Sequence, residues 1–301
     1  MQHAERIHIA NQNPVNSQGR YVLYWMTSAR RATENFGLDR ALWWSKELNL
    51  PIVVFEAVSI DYPWASQRPH QFIIDGMRDN AIDFDSADIA YFPYVEPRKK
   101  QGQGLVLALA DEAAVLVTDS FPCFFLPKIQ MKVSRKARCL MERIDSNGIL
   151  PVTLAGRAYP SAYTFRRFMQ KHVLTWLKNI PVKRPMGQGE PLSGVDRTQR
   201  LRAVGIAETV YERWKPTELA ETSGILTALT SAGLDMSVSQ VSWSGGRRAA
   251  EQRLEMFLSD RLERYAEGRN CPAADGSSGL AAYLHFGNIS SYGIIRELLD
   301  R

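Results

Sequence analysis

The run YVLYWM at 21–26 is apolar at every position, and PIVVFEAV at 51–58 nearly so, with an amphipathic stretch, ATENFGLDRALWWSKELN, between them. Continuous apolar runs of this length are what strands buried on both faces require, so the three segments predict a βαβ unit. AAVLVTD at 113–119 is a third buried-strand candidate, and the preceding GLVLALADE has helical apolar spacing. Strands of this kind separated by helices imply an open parallel sheet covered on both faces, an α/β domain over 19–130.

From 131 to 213 the pattern is broken by prolines, glycines and basic residues, as in LPVTLAGRAYP and IPVKRPMGQGEPLSG, and this part reads as an interdomain connector. From 214 to 301 the spacing turns helical. GGRRAAEQRLEMFLSDRLERYAEGRN sets Ala250, Leu254, Phe257, Leu258, Leu262 and Tyr265 on one face. The final stretch, DGSSGLAAYLHFGNISSYG, predicts a helix, a left-handed turn at Gly287–Asn288, and a further helix capped by Ser290 or Ser291.

Length and composition add bounds to this picture. A chain of 301 residues with 45% hydrophobic content supports two packed cores. The net charge of +5 is compatible with a polyanionic partner. Cys123, Cys139 and Cys271 lie far apart with no metal-ligand or disulfide spacing, so they read as reduced thiols and no metal site is expected. There is no apolar leader pattern and no run long enough to cross a bilayer, from which a cytoplasmic protein is expected.

The candidate chemistry is concentrated near the end. Ser277 and Ser278 precede an apolar helix, where free backbone N–H groups favour an anion, although a plain serine cap explains the same residues. Neither a GxGxxG after the first strand nor a GxxxxGK[ST] is present, so a nucleotide would have to bind away from those standard positions. Lys128, Lys132, Arg135, Lys136 and Arg138, and the helically spaced Arg166, Arg167 and Lys171, fit either a phosphate backbone or a solvated helix face. His285, between Leu284 and Phe286, reads as a packed, hydrogen-bonded structural histidine, and the seven tryptophans as core and packing residues.

The order of an α/β domain, a connector and helices opening with SGG…AA…L…FL…L..Y…RN.P..DG.S.L..YLHFG.IS resembles the photolyase/cryptochrome family, most closely the class II DNA photolyase branch. YVLYWMTSARRATENFGLDRAL, DSNGILPV and AYPSAYTFRRFMQK carry the likeness through the first domain and connector. The resemblance implies light-driven repair of cyclobutane pyrimidine dimers in UV-damaged DNA by electron transfer from reduced FAD. It also implies FAD contacts at Tyr265, Ser277, Ser278, Gly279 and Leu280, and a position near DNA phosphates for Arg269, whose plainer reading is a solvated charge at a helix end.

Two features depart from the family. Ala281–Ala282 stand where Ser-Pro is usual, and the remaining flavin-pocket helices and the electron-transfer tryptophans of the family have no counterpart in these 301 residues. The helical FAD-binding domain is therefore expected to be incomplete, supplying one wall of a flavin pocket and leaving apolar faces around Leu280, Tyr283, Leu284, Ile294, Ile295, Leu298 and Leu299 uncovered. The catalytic residues, and the identity of any antenna chromophore in the first domain, are unknown from the sequence. A monomer is expected. A cryptochrome-like light receptor and a truncated, non-enzymatic remnant are the alternatives.

Overall fold

The computed structural model describes residues 3–178, 181, 197–271, 273 and 276–301. Most of IPVKRPMGQGEPLSG, as well as Asp275, lies outside the described residues. One six-stranded sheet organises the chain, built from β1 (Ile7–Ile9), β2 (Tyr21–Met26), β3 (Ile52–Val58), β4 (Ala90–Val95), β5 (Ala113–Asp119) and β6 (Leu140–Ile144). Its spatial order is β1-β6-β5-β2-β3-β4. All neighbouring pairs are parallel except β1 with β6, which is antiparallel. The sheet therefore reaches beyond 19–130 at both ends.

The three strands legible in the sequence are the central ones, β5, β2 and β3, which are almost wholly buried. Edge strand β4 contains Pro93, which an edge tolerates because one side of the strand needs no ladder donor. Alternate residues of each strand feed two cores. On one face Val22, Tyr24, Val54 and Val117 pack with α1 (Phe36–Leu48), α2 (Gln67–Ser86) and α8 (Thr222–Ser231). On the other, Leu23, Val53, Phe92 and Leu116 pack with α3 (Leu105–Asp111), α6 (Arg197–Ala203) and α7 (Glu208–Arg213). Helix α1 begins at Asn35, whose side chain accepts from the Leu38 N–H, and ends at Asn49 in the left-handed conformation.

The remaining helices are α4 (Leu126–Ser134), α5 (Ala162–Trp176), α9 (Arg247–Asp260), α10 (Tyr265–Gly268), α11 (Ala281–His285) and α12 (Ser291–Leu299). The long helical pattern starting at Gly245 is thus interrupted: α9 stops at Asp260, and Tyr265 opens the short α10. A third core joins Phe72 of α2 to Ala250, Leu254, Phe257, Leu280 and Tyr283. Gly287 has φ +73°, as the predicted left-handed turn requires, and Ser290 caps α12 by accepting from the Tyr292 N–H. The turn presses so closely on the loop after β2 that a Cβ on Gly287 would lie 1.7 Å from the Ser28 carbonyl oxygen.

Two expectations about packing change. Trp64 and Trp243 are exposed rather than buried, whereas Trp25, Trp176 and Trp214 are in the core. Leu280 and Tyr283, expected to be uncovered, are buried in the Phe72 core; Leu284 and Leu299 are exposed.

Candidate functional site

After β2 the chain runs to β3 and β4 on one side, and β5 then returns on the other side of β2, so the loops leaving β2 and β5 diverge. A crevice opens at such a switch point, outside the carboxyl ends of the strands. Asp119, the last residue of β5, organises it. One carboxylate oxygen accepts from the backbone N–H groups of Thr27 (2.8 Å), Ser28 (2.8 Å) and Ala29 (3.0 Å), and the other from the Tyr24 hydroxyl (2.7 Å). Burial, and then the Asp119 charge, hold the Tyr24 phenol well above its ordinary pKa, so it remains a donor.

The loop so held turns Arg30 back over β3. The guanidinium donates to Glu56 (2.9 Å) and to the Ala57 carbonyl (3.0 Å), and Glu56, fully buried, also accepts from Asn80 (2.9 Å) and Tyr91 (2.7 Å). Above it lies a cavity of about 390 Å³ whose apolar walls include Trp25, Tyr62, Trp64, Phe124 and Phe286. Arg30 carries the cavity's fixed positive charge, already compensated by Glu56. The geometry suits a flat, largely uncharged aromatic ligand. His285 stands exposed on the cavity rim, edge-on to Phe124 (6.1 Å) and Phe286 (4.8 Å), which corrects the expectation of a packed, hydrogen-bonded histidine; as the last residue of the short α11, two positions after the buried Tyr283, it falls on the opposite, solvent side of the helix.

At the other end of α11 lie the residues singled out for an anion. Ser277 is exposed, Ser278 and Gly279 are half-buried, and Leu280 is buried. Neither serine caps α11, whose N-cap is Leu280; the Ser278 hydroxyl accepts from the Leu280 N–H at 3.3 Å instead. The turn is brought against α10 by backbone contact, since a Cβ on Gly276 would lie 2.5 Å from the Gly268 carbonyl carbon. Tyr265 of α10 is half-buried, edge-on to Phe257 at 5.1 Å, and Arg269 is exposed with its guanidinium 5.8 Å from the Tyr265 ring.

The sequence reading missed Arg253. Its Nε donates to the Ser278 carbonyl at 3.0 Å, and the guanidinium occupies the space that a Cβ on Gly279 would fill. No carboxylate pairs with it among the described residues. A side chain on α9 reaching a turn 25 residues later has no local signal. Turn, cation and glycine-lined backbone together fit a diphosphate. The basic residues named above, in α4, in the segment just after it and in α5, are all exposed to solvent. Among the described residues no group of acidic, His or Cys side chains could hold a metal ion, and no helix is long and apolar enough to cross a membrane.

No family model matches the chain. A deoxyribodipyrimidine photo-lyase of Methanothermobacter thermautotrophicus is 27% identical over 294 residues, covering 96% of this chain and 58% of that protein. A deoxyribodipyrimidine photo-lyase of Arabidopsis thaliana is 22% identical over 279 residues, 90% of this chain and 51% of that protein. Among solved structures, a bacterial class III photolyase from Agrobacterium tumefaciens superposes with a TM-score of 0.59 over 92% of this chain and 52% of that one, at 16% identity. The shared fold is the photolyase type of α/β domain with appended helices. Over nearly its whole length the chain is similar to proteins of the photolyase/cryptochrome family. It spans a little over half the length of the curated relatives it matches.

Proposed function

We propose that this chain serves a class II-type DNA photolyase, a deoxyribodipyrimidine photo-lyase that uses FAD and light to split cyclobutane pyrimidine dimers in UV-damaged DNA, acting as a cytoplasmic monomer. The observation that carries the reading is the turn 276–280, folded against Gly268 of α10 and against Arg253 in a chain that aligns over nearly its whole length with photo-lyases. Bound reduced FAD would supply the excited electron donor. Ser277 and Gly279 would offer hydroxyl and N–H donors to its diphosphate, Ser278 would shape the turn by accepting from the Leu280 N–H, and Tyr265 would lie along the flavin side. Arg269, exposed next to Tyr265, would meet a DNA phosphate. In this reading the α/β domain is 19–130 together with β1, β6 and the helices α6 and α7 that pack on its sheet, the rest of 131–213 is the connector, and 214–301 is the start of the FAD-binding domain.

The aromatic cavity at the switch point supports a second element of the reading, an antenna chromophore stacked in the α/β domain. The test is purification with flavin, reduction, and illumination with a dimer-containing oligonucleotide, alongside the same protein in the dark. Light-dependent loss of dimers supports repair. For the full-length gene product, bound, reduced flavin without repair would move the protein to the light receptors, and failure to bind flavin would make it a remnant that keeps the fold alone.

A further inference from the structure

Phe124 sits at the cavity mouth in the left-handed backbone conformation, φ +60°. That region strains any residue with a Cβ, least Asn and Asp, and a bulky aromatic there is a genuine outlier. Here burial does not offset the strain, because the Phe124 side chain is 62% exposed. Its ring is instead held at the rim, parallel to Phe121 (6.3 Å between centroids, 8° between planes) and edge-on to His285. Pro122 precedes it by two residues and α4 follows two residues later, so the short turn is tethered at both sides.

We infer that Phe124 is a specificity-determining residue of the cavity, whose strained backbone presents the ring to stack on a bound planar aromatic ligand. The inference rests on the reading of the cavity as a chromophore site. Arg30 narrows the ligand further. Its charge is already matched by the buried Glu56, so the site selects a flat, uncharged ring system over one bearing a phosphate.

The test uses lumichrome, a neutral tricyclic ring without a ribityl or phosphate group, so that the turn at 277–280 has nothing to hold. Its fluorescence polarisation is titrated with the 301-residue chain and with Phe124→Asn and Phe124→Tyr, and the thermal unfolding of all three proteins is recorded. Phe124→Asn, which tolerates the left-handed backbone, is expected to bind lumichrome roughly five- to tenfold more weakly, the value of one lost ring contact, while unfolding at the same or a higher temperature. Phe124→Tyr keeps the ring and should bind within about twofold of the parent. Equal binding by Phe124→Asn would overturn the inference and leave the cavity reading standing. A lowered unfolding temperature for Phe124→Asn would make the ring a structural element and overturn it too. Absence of lumichrome binding by the parent chain would remove the cavity reading, and this inference with it.

Discussion

Replacing Gly287 by alanine tests whether the helical segment that carries the candidate flavin turn is locked onto the loop that floors the cavity. At φ +73° an alanine costs about 1–2 kcal/mol relative to a right-handed residue. The added Cβ would also lie 1.7 Å from the Ser28 oxygen and 2.7 Å from the Arg30 nitrogen, both backbone atoms of a loop pinned by Asp119, so the neighbours cannot swing aside. Forced overpacking of this kind costs about 1–3 kcal/mol, for a total of about 2–5 kcal/mol. Gly156 supplies the control, with φ +64° and nothing within 4 Å of the point where an alanine methyl would stand, so Gly156→Ala bears the conformational cost alone. Urea unfolding followed by fluorescence measures both. With a slope of about 2–3 kcal/mol per molar, the midpoint of Gly287→Ala should fall by about 1 M or more and that of Gly156→Ala by about half as much or less. Equal midpoints for the two variants would refute the docking of 281–293 on the β2 loop.

Asp119→Ala removes the acceptor for three backbone N–H groups and the Tyr24 hydroxyl in the core, and should cost on the order of 4 kcal/mol of unfolding free energy, with Asp119→Asn milder; a loss under about 1 kcal/mol would show that the loop after β2 holds without it. His70 is buried, with its ring nitrogens 2.9 Å from the Ser66 carbonyl and 3.2 Å from the Ser59 carbonyl, and burial lowers its pKa below 6.5. The unfolded chain therefore takes up this proton first, so the stability it contributes is present above about pH 6.5 and is lost as pH falls through the lower folded value. His70→Gln should flatten the decline in urea midpoint between pH 7 and pH 5, and an unchanged slope would contradict the assignment. If the exposed basic side chains of α4 and α5 contact DNA phosphates, affinity for duplex DNA falls steeply with salt; an affinity independent of ionic strength would remove them from the interface.

The central strands were readable because each is buried on both faces and so is apolar throughout, as in YVLYWM and AAVLVTD. Helix α1 was readable between them from its apolar spacing, and its ends, Asn35 and Asn49, carry their own local signals. The edge strands β1 and β4, and β6 next to β1, were not, because a strand of three residues, one with a central proline, and one reading LMERI have no pattern distinct from loop. The left-handed turn at Gly287 and the Ser290 cap were legible for the same local reason that α1 was.

What the sequence by itself determined is whatever depends on neighbours within a few residues or on a periodicity imposed by burial: the parallel sheet, the helical end, and the family-like turn of serines before YLHFG. The tertiary structure alone decided which distant groups meet. Asp119 reaches back to Thr27–Ala29, Arg30 is compensated by Glu56, Arg253 arrives at the Ser277–Leu280 turn, and Phe124 is held against His285. Each of these contacts joins segments whose separation along the chain bears no relation to their separation in space. Charge compensation, cavity shape and backbone strain are properties of those meetings, and no single segment carries them.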